Sequence, residues 1–267
     1  MDQVFDALKK YYEGYDEQQR FSSKHGCIEF LTTVHYVEKY LKPGMKLLEI
    51  GAGTGRYTHY FAQKGYEVDA VELMPCNIEA FRKLTKPGEP VRIMQGNAVD
   101  LPIRENERYD LVLMLGPMYH LFDRDDQLKA LYEALRMTKK GGLLFTAYCC
   151  ADAAIVQAGF MRGRVQQLIA AGMLDPITFK THSDPKDVFE LYLKEDIDSL
   201  MANFDAERLH YVGTDMAAHY IRETIDGMDD ETFDLYMKYH LSICERPDMV
   251  GVSNHSLDVV RKGRNSV

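Results

Sequence analysis

Apolar runs and amphipathic stretches alternate through the middle of the chain. The short apolar runs predict strands, and the stretches with apolar residues at helical spacing predict helices between them. The predicted strands span 46–50, 67–71, 91–95, 109–115 and 143–149. The predicted helices span 54–64, 75–85 and 125–138. Repeated strand–helix units of this length predict an α/β fold with a parallel, right-handed, doubly wound sheet.

The segments on either side break this alternation and divide the chain into four predicted units. Residues 1–44 are predicted as N-terminal helices, whose aromatic side chains favour equally a packing arm and a lid over a ligand. Residues 45–150 are the predicted core. Residues 151–205 are predicted as a helical cap insertion, because they are too long for a simple connection. Residues 206–267 are predicted to complete the core sheet, with strands at 208–212 and 256–261 and a helix at 230–244.

The first predicted strand runs directly into three glycines at alternate positions, Gly51, Gly53 and Gly55. Glycine allows a tight turn and lets a ligand approach the backbone closely. The helix that follows presents free N–H groups and a positive dipole end, which suit an anionic group. Many nucleotide-binding folds contain such a turn. The ends of the other strands must therefore decide which ligand is bound.

Polar residues stand at the ends of the next three predicted strands. Glu72 lies about 20 residues after the glycines, at the spacing where a carboxylate can hold ribose hydroxyls. Asn97 follows the third strand, and its amide can hydrogen-bond an adenine edge. Tyr119 and His120 follow the fourth strand. Ligands of parallel sheets bind at this edge.

Together these strand ends resemble the class I S-adenosylmethionine-dependent methyltransferases, most closely the small-molecule branch with its ubiquinone-biosynthesis-like and type 11 members. The resemblance covers about residues 46–149. The run from Glu49 to Gly55 matches the family's acidic-x-Gly-x-Gly-x-Gly motif, and Glu72 matches its ribose carboxylate. Asn97-Ala98 matches the adenine-contacting pair, in which many members have Asp instead of Asn. The resemblance implies a Rossmann-like sheet of seven strands with the last strand antiparallel.

The resemblance also implies that S-adenosylmethionine binds at this edge and that S-adenosylhomocysteine leaves it. The residues expected to contact the cofactor are Glu49, Gly51, Ala52, Gly53, Gly55, Arg56, Tyr57, Glu72, Leu73, Asn97, Ala98, Leu115, Tyr15 and Arg20. Tyr119 and His120 lie where the family places the reacting methyl group. His120 is a candidate general base, or a structural histidine bonded to a loop carbonyl, and Tyr119 is a candidate pocket wall.

Composition limits the partners of the chain. The net charge is −9 and the basic residues are scattered, which argues against a large nucleic-acid surface. No apolar stretch reaches the ~18 residues of a membrane helix, and no secretory signal is recognisable. The five cysteines lack zinc-like pairs, so we predict free thiols and no metal site. We therefore expect a cytoplasmic protein, monomeric or homodimeric.

The predicted function is enzymatic transfer of a methyl group to a small molecule. The acceptor is expected to enter between the N-terminal helices and the cap, along aromatic walls that include Phe160 and Phe179. Three alternatives stay open: a non-catalytic S-adenosylmethionine-binding protein, an RNA or protein methyltransferase, and an NAD-dependent dehydrogenase. The glycine spacing disfavours the dehydrogenase, whose fingerprint is Gly-x-Gly-x-x-Gly.

Overall fold

A seven-stranded sheet forms the frame of the computed structural model, which describes residues 2–14 and 23–264. Its strands are β1 (Lys46–Ile50), β2 (Glu67–Glu72), β3 (Val91–Gln95), β4 (Tyr109–Met114), β5 (Thr138–Cys149), β6 (Ala206–Gly213) and β7 (His255–Lys262). Their order is β3-β2-β1-β4-β5-β7-β6. Neighbours among β1 to β5 run parallel, whereas β7 is antiparallel to β5 and to β6. The predicted fold is therefore confirmed, including the antiparallel last strand.

The central strands are apolar on both faces because both faces are covered. In β1, Leu48 and Ile50 pack in one core cluster, whereas Leu47 packs in another. Successive side chains of a strand point to opposite faces, so this alternation places one cluster on each side of the sheet. β4 follows the same rule with Val112 on one side and Leu111 on the other. An unbroken apolar run in the sequence thus becomes two hydrophobic layers.

Helices cover the two faces of the sheet. They are α1 (Asp2–Gly14), α2 (Lys24–Glu38), α3 (Arg56–Gln63), α4 (Pro75–Leu84), α5 (Arg124–Met137), α6 (Ala151–Ala154), α7 (Val165–Ala170), α8 (Lys194–Met201), α9 (Arg222–Asp226) and α10 (Asp230–Ile243). A π-helical stretch, Ile155–Met161, continues α6. None of the helices among residues 2–14 and 23–264 has both the length and the apolar character needed to cross a bilayer.

The segment 151–205 is less helical than its sequence predicts. The stretch 171–193 contains only one short 3₁₀ turn, Pro185–Asp187. Its backbone bonds to the sheet edge instead, because the Tyr192 N–H donates to the carbonyl of Cys149 and the Glu190 N–H donates to that of Tyr119. α8 then packs on the sheet, with Ile197 and Leu200 in the same cluster as Leu48. The prediction of a mainly helical segment was wrong where these sheet-edge bonds replace helical ones.

One buried histidine joins α10 to α2. Nε2 of His240 lies 2.8 Å from the Thr32 hydroxyl, and Nδ1 has no hydrogen-bond partner within the described part of the chain. Burial lowers the pKa of His240 to about 4, although the charge of Asp215 opposes this effect. The folded protein therefore holds this ring neutral at a pH where the unfolded chain would protonate it.

We expect acid to weaken the fold through His240. Between pH 6.5 and pH 4 the unfolded chain binds a proton that the folded chain does not, so stability falls as the pH falls through this window. From pH 7 to pH 5 the loss from this group is about 2 kcal/mol. Urea unfolding of wild type and His240→Gln at both pH values measures it, and the variant should lose less stability on acidification.

The matched control for this measurement is His182→Gln, which changes an exposed histidine. This variant should keep the wild-type pH dependence. If His240→Gln and the wild type lost the same free energy of unfolding between pH 7 and pH 5, the assignment to His240 would be wrong.

Candidate active site

A cavity of about 1200 Å³ lies at the carboxyl ends of the parallel strands. The loops after β1, β2, β3 and β4 line it, and α1 adds Val4, Phe5, Leu8, Tyr11 and Tyr12. This is the edge at which open α/β sheets bind their ligands. All predicted cofactor residues among those described line the cavity except Gly55. Tyr15 and Arg20 lie outside the described residues.

The glycine loop is held largely by its own backbone. The Gly51 N–H donates to the carbonyl of Val71, and the Gly55 N–H donates to that of Ala52. The Gly53 N–H donates to Oε2 of Glu72 at 2.8 Å. The sequence predicts that free N–H groups at this turn suit an anionic group, whereas the structure uses the three glycine amides within the protein. These three backbone N–H groups are therefore not free to donate to a ligand. The contribution of the glycines is the space left by their missing side chains.

Gly51 and Gly55 are required for different reasons, although all three glycines of the loop share one backbone feature. All three have positive φ, at +73°, +55° and +89°. A Cβ on Gly51 would lie 2.6 Å from Cδ of Pro117, at the floor of the cavity. A Cβ on Gly55 would lie 2.4 Å from the ring of Phe81, on the side of α4. Gly55 thus allows α3 and α4 to pack closely, and the structure does not place it against a ligand.

Glu49 caps α3 from beneath the loop. Its Oε2 accepts hydrogen bonds from the backbone N–H and the hydroxyl of Thr58, at 2.9 and 2.5 Å. A carboxylate at a helix N-terminus is favoured by the helix dipole and by the free N–H groups there. Glu49 also lines the cavity. One side chain therefore fixes the first turn of α3 and presents a negative charge to the cavity.

The first turn of α3 forms one wall. Arg56 and Tyr57 both line the cavity. The Arg56 guanidinium lies 4.6 Å from the ring centroid of Phe30 in α2, and the Tyr57 ring lies 5.0 Å from the same ring. Stacking on α2 fixes both side chains against the cavity.

Glu72 joins the end of β2 to the loop after β1. Its Oε1 accepts from the Met74 N–H at 2.8 Å and from the Asn77 amide at 3.2 Å, in addition to the bond from Gly53. Burial raises the pKa of this carboxyl, and these donors lower it in part. A carboxylate offers about four acceptor positions. These bonds use three of them, so Glu72 keeps capacity for a hydroxyl donor from the cavity.

The loop after β3 supplies an amide to the cavity. Oδ1 of Asn97 accepts from the Val99 N–H at 3.2 Å and so forms a turn. Its amide N–H₂ group makes no hydrogen bond within the described part of the chain, and it stays available to an acceptor. Ala98, Leu73 and Leu115 line the cavity beside it. The arrangement suits a flat heteroaromatic ring that has a hydrogen-bond acceptor on its edge.

His120 is bonded on both ring nitrogens. It belongs to a 3₁₀ turn, Pro117–His120, after β4. Its Nδ1–H donates to the Val188 carbonyl at 2.7 Å, which fixes the tautomer because a carbonyl only accepts. Nε2 therefore accepts from the Tyr12 hydroxyl of α1 at 3.0 Å. Burial lowers the pKa of His120, so the ring is neutral. Tyr119 lies beside it, buried, with its ring 5.7 Å from that of His255.

The aromatic walls differ from those that the sequence predicts. Phe160 and Phe179 are exposed, and neither lines the cavity. Phe189 takes that position, packed against Tyr11 and His120 at centroid distances of 5.6 and 5.5 Å. The sheet-edge bonds of residues 190–192 bring Phe189 there. The helical interpretation of this segment could not predict that placement.

A second polar cluster closes the other end of the cavity. Its members are His25 and Glu29 of α2, Asp215, His219 and Arg222 after β6, and His255 at the start of β7. The strand-end motifs of the sequence do not include these residues, because the cluster comes together only in the folded chain. The spacings 25/29 and 215/219 place each pair one helical turn apart, which is the only local signal.

Asp215 is the fixed centre of this cluster. Its Oδ1 accepts from the Ser253 hydroxyl and the Asn254 N–H at 2.6 and 2.7 Å. Its Oδ2 lies 2.8 Å from Nδ1 of His255 and 3.2 Å from Nε2 of His219. Burial opposes ionisation, but the two histidines outweigh it and hold the pKa of Asp215 far below its usual range. The negative charge of Asp215 is therefore shared among several donors.

His255 is the positive partner of this carboxylate. Burial lowers its pKa, but Glu29 and Asp215 outweigh that effect and hold the pKa well above the usual value. Nδ1 of His255 lies 3.5 Å from the Glu29 carboxylate. The ring thus carries a proton between two carboxylates.

Asp215, His219 and His255 offer one ligand atom each within 4.8 Å of one another, close enough for a metal ion. Arg222 argues for a different use, because its Nη2 donates to Nδ1 of His219 at 3.0 Å. Because the guanidinium can only donate, Nδ1 of His219 accepts, and Nε2 is the nitrogen that donates to Asp215. A metal would need a lone pair at that atom. The observed bonds form a proton-ordered network and not a ligand set.

Comparison with known proteins agrees with the motifs. The family model described as a methyltransferase domain matches residues 48–146. An uncharacterized methyltransferase-like protein of Schizosaccharomyces pombe is 34% identical over 100 residues, which span 37% of each chain. The ubiquinone/menaquinone biosynthesis C-methyltransferase of Vibrio parahaemolyticus is 24% identical over 208 residues, 75% of this chain and 69% of that one. The first match thus spans little more than a third of its relative's length.

The fold extends over nearly the whole chain. Phosphoethanolamine N-methyltransferase 1 of Haemonchus contortus, solved with phosphoethanolamine and S-adenosylhomocysteine, superposes with a TM-score of 0.61 at 15% identity. The alignment covers 98% of this chain and 48% of that one. The matched domain contains the glycine loop, Glu72, Asn97 and the 3₁₀ turn after β4. The domain match over residues 48–146 and the shared fold together support a class I S-adenosylmethionine-dependent methyltransferase.

Proposed function

We propose that the protein transfers a methyl group from S-adenosylmethionine to a small-molecule acceptor. The observation that carries this proposal is the alignment of four strand ends on one cavity, with Glu72 tied to the glycine loop and an amide donor at Asn97. The cofactor supplies an activated methyl group on a sulfonium. The Haemonchus contortus neighbour, which was solved with S-adenosylhomocysteine, supports the same cofactor.

The chain offers matching groups for the ribose, the adenine and the ammonium of the cofactor. The remaining acceptor capacity of Glu72 suits a ribose hydroxyl, and the Asn97 amide suits the adenine edge. Glu49, buried under the loop, suits the ammonium of the amino-acid end. Gly51 and Pro117 both line the cavity and pack so closely that a Cβ on Gly51 would meet the Pro117 ring, so this wall requires glycine.

The cover over the cavity favours a small acceptor over a polymer. α1 packs on the segment 185–189 and on the loop before α4, through a cluster that contains Leu8, Met74 and Val188. The bond from Tyr12 to His120 closes the same side. α1 acts as a lid in this arrangement. Two proteins similar to this chain are also named for small molecules, one for ubiquinone/menaquinone biosynthesis and one for phosphoethanolamine.

Alignment is the main contribution of the site to catalysis, because methyl transfer is an in-line displacement. Tyr119 and His120 line the cavity where the resemblance places the methyl group. The lone pair of His120 Nε2 is directed at the Tyr12 hydroxyl. His120 can accept a proton from an acceptor only where that acceptor replaces Tyr12, and otherwise it anchors the lid.

Calorimetry tests the cofactor directly. We expect S-adenosylmethionine and S-adenosylhomocysteine to bind the full chain with one site each, and NAD to leave no signal at the same concentrations. Incubation with methyl-tritiated S-adenosylmethionine and pooled small-molecule extracts should then label a low-molecular-mass product. Binding of NAD in place of S-adenosylhomocysteine would contradict the proposal and favour a dehydrogenase.

Glu72→Gln should weaken cofactor binding by roughly 10- to 100-fold, since a hydrogen bond to a charged group contributes about 1.5–3 kcal/mol. The amide would also turn an N–H₂ group toward the N–H donors of Gly53 or Met74. Calorimetry with S-adenosylhomocysteine measures the change. Glu67→Gln, at the exposed start of the same strand, is the control and should bind as wild type does. Equal affinities for both variants would remove Glu72 from the site.

Tyr12→Phe should speed cofactor release about fivefold, because one hydrogen bond of about 1 kcal/mol holds the lid to His120. Stopped-flow chase of bound S-adenosylhomocysteine gives the rate. Tyr132→Phe, on the exposed face of α5, should leave it unchanged. A Tyr12→Phe protein with the wild-type release rate would show that α1 does not limit exit.

A further inference from the structure

One cation at the far end of the cavity has no counter-ion among the described residues. Arg222 lines the cavity and is half-buried, and its single hydrogen bond within the described part of the chain goes to Nδ1 of His219. No carboxylate of the described residues lies within 4.0 Å of its guanidinium. Its Nε is buried and has no acceptor there. Partial burial of a guanidinium without an anion costs free energy, because the charge loses water and gains no partner. A bound anion would offset this cost.

Three neighbouring carboxylates are already engaged. Asp215 accepts from Ser253 and lies against His219 and His255. Glu29 lies beside the protonated His255. Asp226 lies 2.7 Å from Nδ1 of His25. These three carboxylates therefore have their own donors, and Glu223, the next residue in the chain, forms no ion pair with Arg222.

A second arginine faces the same space. A crevice of about 400 Å³ adjoins the cavity and shares with it Arg162, His219 and Arg222. Arg162 follows the π-helical stretch and forms no ion pair within residues 2–14 and 23–264. Arg162 is exposed and Arg222 is half-buried, and both line this crevice without an ion pair among the described residues, in a chain whose net charge is −9.

We propose that Arg222, together with Arg162, binds an anionic group of the methyl acceptor, a carboxylate or a phosphate. That the anion belongs to a methyl acceptor rests on the proposed function. That an anion binds at Arg222 does not. The planar guanidinium presents parallel N–H donors that match both anions, and the anion would supply the acceptor that the Nε of Arg222 lacks. His219, held by Asp215, fixes the guanidinium from the other side.

The position of the site sets the shape of the acceptor. The rings of Tyr119 and His255 lie 5.7 Å apart, and those of His255 and His219 lie 6.3 Å apart. Arg222 contacts His219 directly. An acceptor with its nucleophile beside Tyr119 and its anion at Arg222 is therefore elongated and spans the rings of the two histidines.

Binding of three matched probes tests the proposal. The probes are benzoate, phenyl phosphate and the uncharged benzamide, titrated by ligand-observed nuclear magnetic resonance into full-length protein saturated with S-adenosylhomocysteine. We expect at least one anion to bind tenfold or more tightly than benzamide. The anion that does so distinguishes a carboxylate site from a phosphate site. Equal binding of all three probes would overturn the proposal.

Variants test whether Arg222 is responsible for the preference for an anionic probe. Arg222→Gln should abolish the preference for the anion, and Arg222→Lys, which keeps the charge without the planar donors, should retain only part of it. Arg164→Gln, an exposed arginine that does not line the cavity, should behave as wild type. An anion preference that survives Arg222→Gln would overturn the assignment. If the glutamine variant does not fold, as judged by its thermal unfolding, the lysine variant and the probe series in wild type still decide.

Two further outcomes separate this proposal from the proposed function. Displacement of S-adenosylhomocysteine by the anions would assign Arg222 to the carboxylate of the cofactor and overturn the acceptor site. Anion binding at Arg222 in a protein that does not bind S-adenosylhomocysteine would keep the anion site and overturn the methyltransferase function. Binding of S-adenosylhomocysteine without a preference for the anions would overturn the anion site and keep the methyltransferase function.

Discussion

The bond between Gly53 and Glu72 is the constraint on which the cavity depends. It ties the loop after β1 to the carboxylate that ends β2, so two strands share one ligand-facing edge. The loop needs this support because its glycines have positive φ and contribute no side chains of their own. The same carboxylate also holds the turn into α4 through Met74 and Asn77. A residue predicted to bind a ligand is therefore also the joint between two strand–helix units.

This double use explains why the sequence predicts the cofactor end of the site well. Strand, glycine turn and acidic residue are local patterns, and parallel topology brings their ends together whatever the distant sequence is. Glu49, Glu72 and Asn97 line the cavity as the strand ends predict. Gly55 does not, because its Cβ position faces Phe81, and no local signal separates a glycine needed for packing from one needed for a ligand.

The opposite end of the site could not be predicted in the same way. His25, Asp215 and His255 come from three distant segments, and only the return of β7 between β5 and β6 brings them together. Residues 190–192 bond to the sheet edge, a tertiary effect that overrides their helical pattern and places Phe189 over the cavity. His120 shows the same limit, since the bonds to Val188 and Tyr12 that decide its role cross 68 and 108 residues of chain.

The division between the two ends has a consequence for specificity. The matched methyltransferase domain, residues 48–146, supplies the glycine loop and the strand ends. It supplies none of the second polar cluster, here called the histidine cluster, which contains His25, His219 and His255. Features that the family shares can bind a shared cofactor, whereas selection of an acceptor requires groups outside them. We propose that α2, the segment 215–222 and β7 supply those groups here. In the histidine cluster each carboxylate already has a donor, and Arg222 has no carboxylate among the described residues, so charge complementarity there favours an acceptor that brings its own negative group.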